Sequence, residues 1–258
     1  MRFSIRAEVF AAALAASVLA LPAIAQVAAD RPADDGVTAQ SLRDVVARYR
    51  DWRGPAYGEL QTIHERFAIE TATGRQAGQL WMDRDGRMRR EVVAGDVRQI
   101  EVATPDGAWR TDADGHVVDN PAAVERARRY ALLEFGDALT GRGGASVALA
   151  GTAEALDNTW NVVRITFGDA DSYEALIDPK YGALCCYRIT EGGQTRLQLF
   201  GEWRLVDGVR MPFITASRTT SDVQTDISAV ELNRSLDPAL FARPPSAAAD
   251  GPSARPGG

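Results

Sequence analysis

The 258-residue sequence contains only two cysteines and two histidines, and this scarcity excludes several classes of protein. The cysteines are adjacent, Cys185 and Cys186, so they cannot form the disulfide framework of a small secreted domain. Neighbouring residues of a strand point to opposite faces, and a bridge between them would need a distorted backbone. Two small side chains that suit a core are the interpretation we favour, and a strained vicinal disulfide or an intermolecular pair is the alternative.

The two histidines do not form a recognisable metal site. His64 begins a segment similar to the zinc-protease motif H-E-x-x-H, but Ala68 stands where the second histidine is needed, and the segment has the alternation of a strand. His116 ends an acidic turn, yet a calcium loop would need an acidic residue at Arg110 and a glutamate at Pro121. We therefore predict no metal ligands in this chain.

Catalytic motifs are also missing from the sequence. It contains no nucleophile elbow, no phosphate-binding loop and no dinucleotide-binding fingerprint. Acidic pairs such as Asp169 and Asp171 lie in a turn sequence, where they suit the turn geometry. Because nothing selects an acid and a base, we predict no catalytic residues and no cofactor, and we expect a protein that is not an enzyme.

The charge balance argues against a nucleic-acid partner. Lysine and arginine together number 29 against 35 aspartates and glutamates, which gives a net charge of −6. Nucleic-acid binding requires a basic patch or stripe. We therefore expect no nucleic-acid ligand.

The first 25 residues have the pattern of a secretory signal peptide. An apolar run, Val9–Leu21, follows a basic start and is itself followed by a small-x-small ending at Ala25. A membrane anchor would need about 20 apolar residues, and Pro22 interrupts the run. We predict cleavage after Ala25 and a mature protein without a stable membrane span.

The rest of the chain divides by composition. Residues 26–37 are rich in Ala, Asp and Pro and are predicted to be a flexible N-terminal extension. The tail, residues 245–258, consists largely of Pro, Ala, Gly and Ser and is predicted to be disordered. One folded domain is expected between them, over residues 38–244. It begins with a helix capped by Thr38 or Ser41 and running to about Tyr49.

From Glu59 onward the apolar residues alternate with period two, and turn pairs such as Asp207-Gly208 recur at near-constant spacing. This pattern is typical of antiparallel hairpins. A second helix, from Asn120-Pro121 to Gly141, interrupts the series and must bury its apolar stripe on one face of the sheet. The pattern predicts a mainly β (α+β) fold with one curved antiparallel sheet of about ten or eleven strands, half-closed as a barrel, with helices on one face.

Pro212 lies four residues after the Asp207-Gly208 turn, in a segment that otherwise has the character of a strand. Proline has no N–H to donate to a sheet ladder. We expect Pro212 at a bulge or on an edge.

An unclosed barrel of this width can leave an apolar cavity under its helices. Ordinary core packing is the alternative for each large apolar side chain. The residues predicted to line the cavity are Phe67, Ile69, Trp81, Met82, Trp109, Tyr130, Phe135, Leu139 and Trp160.

Four segments resemble recurrent motifs of one protein group. Near the end of the chain these are GEWRLVDGVRMPF (201–213) and VELNRSLDPALFARP (230–244), and earlier they are GQLWMDRDGRMRREV (78–92) and TPDGAWRTDADG (104–115). Together they resemble the LolA/LolB-like superfamily, which includes outer-membrane lipoprotein-sorting proteins and related periplasmic proteins. The resemblance spans about Ser41 to Pro244.

The resemblance implies an unclosed antiparallel half-barrel with helices on its concave side. It also implies a soluble periplasmic carrier that holds lipoprotein acyl chains or a lipid, with an envelope protein as a further partner. The alternative is a periplasmic protein-binding, regulatory or sensor module that uses the same fold without lipid transport. The motifs are structural, so they imply the fold more directly than the ligand.

Overall fold

The computed structural model describes residues 41–71, 74–168, 171–218 and 222–245. The predicted signal peptide, the N-terminal extension and nearly all of the C-terminal tail lie outside the described residues. No helix in the described ranges is long and apolar enough to cross a membrane.

The described elements are two α-helices, fifteen strands and four single 3-10 turns. The helices are α1 (Leu42–Arg53) and α2 (Ala122–Glu134). The strands are β1 (Thr62–Thr71), β2 (Gly74–Asp83), β3 (Met88–Ala94), β4 (Val97–Thr104), β5 (Gly107–Thr111), β6 (Val117–Asp119), β7 (Ser146–Ala155), β8 (Asn158–Phe167), β9 (Asp171–Ile177), β10 (Leu184–Glu191), β11 (Gln194–Gly201), β12 (Arg204–Val206), β13 (Val209–Met211), β14 (Ile214–Arg218) and β15 (Asp222–Leu232). The 3-10 turns are Tyr57–Glu59, Ala138–Thr140, Arg142–Gly144 and Pro238–Phe241.

Thirteen of these strands form one antiparallel sheet in the order β6-β5-β4-β3-β2-β1-β15-β14-β11-β10-β9-β8-β7. The first and last strands of the domain, β1 and β15, pair near the middle of this order, with Ile63 opposite Leu232. Within the described residues the sheet does not close, because β6 and β7 are its two edges. The predicted fold class, an unclosed antiparallel half-barrel with helices on its concave side, is confirmed.

The sheet has more strands than the expected ten or eleven, and two strand breaks set a further short ribbon apart from it. The backbone of Glu202, at φ 47°, separates β11 from β12. Pro212, which has no N–H to donate, lies between β13 and β14. Pro212 therefore lies at a strand break, and β12 and β13 form a separate two-stranded ribbon.

The Asp207-Gly208 turn of this ribbon packs against the end of α1. Both residues have positive φ, 46° and 82°, as a two-residue hairpin of this kind requires. The carbonyl oxygen of Gly208 accepts a hydrogen bond from the backbone N–H of Ala56 at 3.3 Å. Gly54 ends α1 at φ 114°, and a Cβ there would lie 2.2 Å from the same Gly208 oxygen.

Helix α1 begins with a capping box formed by Ser41 and Asp44. The Ser41 hydroxyl accepts the Asp44 N–H at 3.2 Å, and the Asp44 carboxylate accepts the Ser41 N–H at 3.3 Å. Ser41 is thus the cap, while Thr38 lies outside the described residues. The helix runs one turn further than expected, to Arg53, and buries Val45 and Tyr49.

Helix α2 is shorter than expected. It ends at Glu134, because Gly136 adopts φ 73° and turns the chain, and Gly141 closes the separate 3-10 turn Ala138–Thr140. The Asn120 side chain does not cap the helix, since its amide donates to the Glu101 carboxylate at 2.9 Å instead. The sequence placed the start of this helix correctly and its end too late.

We expect Gly54→Ala to lower the free energy of unfolding by roughly 2–4 kcal/mol, because the new Cβ meets both a positive φ and the Gly208 oxygen. Gly74→Ala is the matched control, since Gly74 has φ 126° with no described heavy atom within 4 Å of a Cβ. Urea unfolding of both variants separates the steric clash from the backbone strain. If both variants lose the same free energy of unfolding, the close approach of Gly54 to the Gly208 oxygen does not limit this position.

Candidate functional site

A cavity of about 370 Å³ lies between α2 and the concave face of the sheet. Its wall comes from α2 and from β4, β3, β2, β1, β15, β14, β11, β10 and β9, which are neighbours in the sheet in that order. The cavity therefore extends across the sheet rather than along one strand. Its larger apolar wall residues include Phe67, Leu80, Met88, Leu133, Ile189 and Ile227.

The ring of Phe67 in the cavity wall occupies space that a side chain at Gly78 would otherwise fill. Gly78 is directly opposite Phe67 in the β1–β2 pairing, and a Cβ on Gly78 would lie 2.3 Å from the phenylalanine ring. The ring can therefore rest on the backbone of β2.

Two of the nine residues predicted from the sequence, Phe67 and Tyr130, line the cavity. Ile69 lies two positions further along β1, in the same apolar cluster as Phe67. Met82, Phe135 and Leu139 are buried in the largest core cluster of the domain. Those three are core residues in the part of the chain that the structure describes.

The three predicted tryptophans lie away from the cavity. Trp81 and Trp109 pack with Phe241 on the opposite face of the sheet. Leu80 faces the cavity, so its neighbour Trp81 must point the other way. Trp160 is half-buried on β8, where its indole N–H donates to the carbonyl of Ala155 at 2.7 Å.

Sequence reasoning missed the charged residues of the wall, which are Glu65, Arg90, Glu101, Arg126, Glu134, Glu191 and Arg196. One signal was available on β1. Ile63, Glu65 and Phe67 alternate along the strand, which places the carboxylate of Glu65 on the same face as its apolar neighbours. A charged residue at an apolar position of a strand is a candidate for a site.

Glu134, at the inner end of the cavity, is held by the buried Arg53. The guanidinium of Arg53 is 3.1 Å from the Glu134 carboxylate and donates to the Tyr49 hydroxyl at 2.9 Å. It also lies 4.2 Å from the ring centroid of Tyr57, whose hydroxyl donates to the Glu134 carbonyl at 3.1 Å. The arrangement joins the end of α1 to the end of α2.

Glu65 lies in the wall near this cluster, and its carboxyl makes no hydrogen bond or ion pair within the described ranges. Burial raises the pKa of Glu65 to about 8. The charge of Glu134 raises it further, while Arg53 lowers it. Glu65 is therefore mostly protonated at neutral pH.

Tyr130, on α2, faces the same region of the cavity. Burial raises the pKa of the Tyr130 hydroxyl well above its usual value, and the charges of Glu134 and Glu65 act in the same direction. The hydroxyl is thus un-ionised at neutral pH and can donate a hydrogen bond. Its ring is partly accessible through the cavity.

Salt bridges occupy most of the other charged groups of the wall. Arg126 lies 2.8 Å from Glu101, and Arg196 lies 2.7 Å from Glu191. The Tyr173 hydroxyl also donates to Glu191. The wall therefore combines an apolar floor with paired charges along its sides.

Among the described residues, those that line the cavity include no histidine, cysteine or serine. His64 lies on the opposite face of the sheet, where its ring stacks on Trp81 with centroids 4.9 Å apart. The arrangement can bind a ligand through apolar contact, hydrogen bonds and charge. It offers none of the nucleophile–base pairs of acyl-transfer enzymes.

Asp112, Asp114 and His116 bring three possible metal-ligand atoms within 4.8 Å of one another. They belong to a turn at the surface, and one oxygen of Asp112 already accepts the backbone N–H groups of Asp114 and His116, both at 2.9 Å. These hydrogen bonds account for the cluster as turn geometry.

No family model and no curated protein matches this sequence. Solved structures do match. A LolA superfamily protein from Nitrosomonas europaea is 10% identical, with a TM-score of 0.55 over 80% of this chain and 99% of its own. A DUF1329 family protein from Desulfovibrio piger is 11% identical, with a TM-score of 0.53 over 78% of this chain and 95% of its own.

A domain assigned as an outer membrane lipoprotein-sorting protein, from Vibrio parahaemolyticus, is 12% identical, with a TM-score of 0.51 over 78% of this chain and 95% of its own. At such low identity these matches show the fold alone. The described domain has the LolA-like fold, which confirms the resemblance drawn from its sequence motifs.

We expect Arg53→Leu to lower the free energy of unfolding by about 3–5 kcal/mol, because it leaves the carboxylate of Glu134 partly buried without its cation. Arg66→Leu is the control, since Arg66 forms an exposed pair with Glu231 at 2.9 Å and its loss should change stability little. Denaturant unfolding measures both. A loss for Arg53→Leu no larger than for the control would contradict a stabilising role for this contact.

We expect stability to fall as pH rises from about 5 through 8, because folded Glu65 keeps a proton that the unfolded chain releases near its ordinary pKa of 4.5. Glu65→Gln cannot ionise, so it should raise the Tm by several degrees at pH 9 and leave it nearly unchanged at pH 5. Thermal unfolding at both pH values tests this. Glu70→Gln, on the exposed edge of the same strand, controls for net charge, and an equal gain there would refute the assignment to Glu65.

Proposed function

We propose that this protein is a periplasmic binding or carrier protein for an amphiphilic ligand whose acyl chain occupies the cavity under α2. The observation that carries this proposal is the cavity itself. Its volume of about 370 Å³ falls within the range of small-molecule sites, about 300–1,000 Å³. Each methylene that leaves water for its apolar floor contributes about 0.8 kcal/mol to binding.

A lipid or the acyl chains of a lipoprotein form the class of ligand that suits these walls. Phe67, Leu80 and Ile227 supply apolar contact, while the charged and hydroxyl groups along the sides suit a polar headgroup. The similar structure assigned to outer membrane lipoprotein sorting supports the same class. The leader pattern ending at Ala25 supports a periplasmic location.

Binding without catalysis agrees with the composition of the wall. General acid–base or nucleophilic chemistry needs a nucleophile and a base within hydrogen-bond reach. The wall residues that could ionise are carboxylates, arginines and tyrosines, and most of the charged ones are already paired. A protein-binding or sensor role with an envelope protein is the alternative, and the experiment below separates the two.

We expect native mass spectrometry of the protein purified from its own compartment to show a bound amphiphile. Thr215→Trp should abolish this adduct, because Thr215 lines the cavity on β14 and an indole would fill it. Ala216→Trp is the matched control, since the next residue of the strand points to the opposite face and should leave the adduct in place.

Circular dichroism verifies that both variants keep the fold. Repeated recovery of empty wild-type protein, together with failure to bind a fluorescent fatty acid, would refute the carrier function. In that case, a partner recovered reproducibly by crosslinking in the periplasm would support the alternative role.

A further inference from the structure

Two ionisable side chains of the cavity wall form no ion pair within the described residues. Glu134, Glu101 and Glu191 pair with Arg53, Arg126 and Arg196 respectively. Among the described residues of the wall, the side chains of Glu65 and Arg90 make no ion pair and no hydrogen bond. Unpaired charge in such a place is costly unless a ligand or water compensates it.

The sheet register places these two groups on one row. Glu65 of β1 is directly opposite Leu80 of β2, and Leu80 is directly opposite Arg90 of β3. Residues directly opposite each other share a face of the sheet, so both charged side chains point into the cavity. Two strand spacings separate their backbones by about 10 Å, with Leu80 between them.

Glu65 and Arg90 do not neutralise each other across this gap. The pKa of Glu65 rises through burial and the charge of Glu134, with Arg53 opposing. The pKa of Arg90 falls through burial, with Glu101 opposing. Each group therefore responds to its own surroundings, and those of Arg90 include Glu101, which is directly opposite it on β4.

Arg90 is an exposed residue of the cavity wall. Its guanidinium lies 5.7 Å from the ring centroid of Phe67, on the cavity floor. On the far side, β10 and β11 contribute Ile189 and Phe200 beside the paired Glu191 and Arg196. Glu65 and Arg90 thus both lie on the β1–β3 side, and the other side combines apolar residues with a paired charge.

We infer that the cavity is specific for a zwitterionic amphiphile, with its anionic group on Arg90 and its ammonium group on Glu65. This inference rests on the proposed function. A phosphate accepts charge-assisted hydrogen bonds from a guanidinium, and an ammonium donates them to a carboxylate. The acyl chain then extends toward Ile189 and Phe200. Such a ligand satisfies both free groups at once.

Binding of the ammonium group carries a pH signature. The titratable groups that face Glu65 are Glu134 and Tyr130 from α2 and Arg53 from α1, and its neighbours in the sheet, Leu80 and Val230, are apolar. The ammonium binds the ionised carboxylate, so binding below pH 8 releases a proton. Affinity therefore rises between pH 6 and 8 by up to about tenfold per pH unit.

The test uses calorimetric titration of the full chain, freed of lipid, with single-chain amphiphiles of equal chain length. The probes are lysophosphatidylethanolamine as the zwitterion, lysophosphatidic acid as the anion, an alkylamine as the cation and a monoacylglycerol as the neutral reference. We expect the zwitterion to bind at least about tenfold more tightly than the neutral reference at pH 8.

Glu65→Gln and Arg90→Gln should each lower the affinity for the zwitterion about tenfold. Neither should change the affinity for the monoacylglycerol. Glu65→Gln should also remove the rise with pH. Glu70→Gln and Arg66→Gln are the matched controls, because both residues are exposed on β1, in surface ion pairs with Arg75 and Glu231.

The outcomes are distinct. If the monoacylglycerol binds as tightly as the zwitterion, or if either variant keeps full affinity for the zwitterion, the inference fails while the carrier function stands. If none of the four amphiphiles binds, the carrier function fails and the inference fails with it.

Discussion

The buried cation of Arg53 is the interaction on which the arrangement of the helices depends. Only 2% of this residue is exposed, and its charge needs compensation from groups that also leave water. Tyr49 of the same helix, Glu134 at the end of α2 and the ring of Tyr57 supply it. Because these partners come from α1, from the turn after it and from the end of α2, the contacts of one guanidinium fix where α1 ends, where α2 ends and where the Glu134 carboxylate enters the cavity.

The cavity exists because the sheet curves without closing and α2 lies across its concave side. A well-packed interior would fill this space with apolar side chains. Here ionisable groups stand along the wall. Some are paired with each other, as Glu101 with Arg126, whereas Glu65 and Arg90 form no ion pair within the described residues. Charged groups resist collapse of the cavity, since closing it would desolvate them further. The apolar floor and the charged sides together give it the character of a site for an amphiphile.

Much of the fold could be predicted because its signals are local. Period-two alternation, turns such as Asp207-Gly208 and the Ser41 capping box are each encoded within a few residues. The number of strands and the end of α2 could not be predicted in the same way. The strand breaks at Glu202 and Pro212 accompany the packing of the β12–β13 ribbon on the end of α1. This is a contact between residues about 150 positions apart, so local sequence patterns do not encode it.

Local patterns in the sequence are enough to predict the fold class, the first turn of each helix and the alternation that makes one face of each strand apolar. Which apolar face lies under α2 depends on tertiary packing. Phe67 and Tyr130 line the cavity, whereas Trp81, beside the wall residue Leu80, points away from it. Cross-strand register also decided which charged residues share the face that lines the cavity. Glu65 and Arg90 are far apart in sequence, and pairing through Leu80 places them in one row on one face.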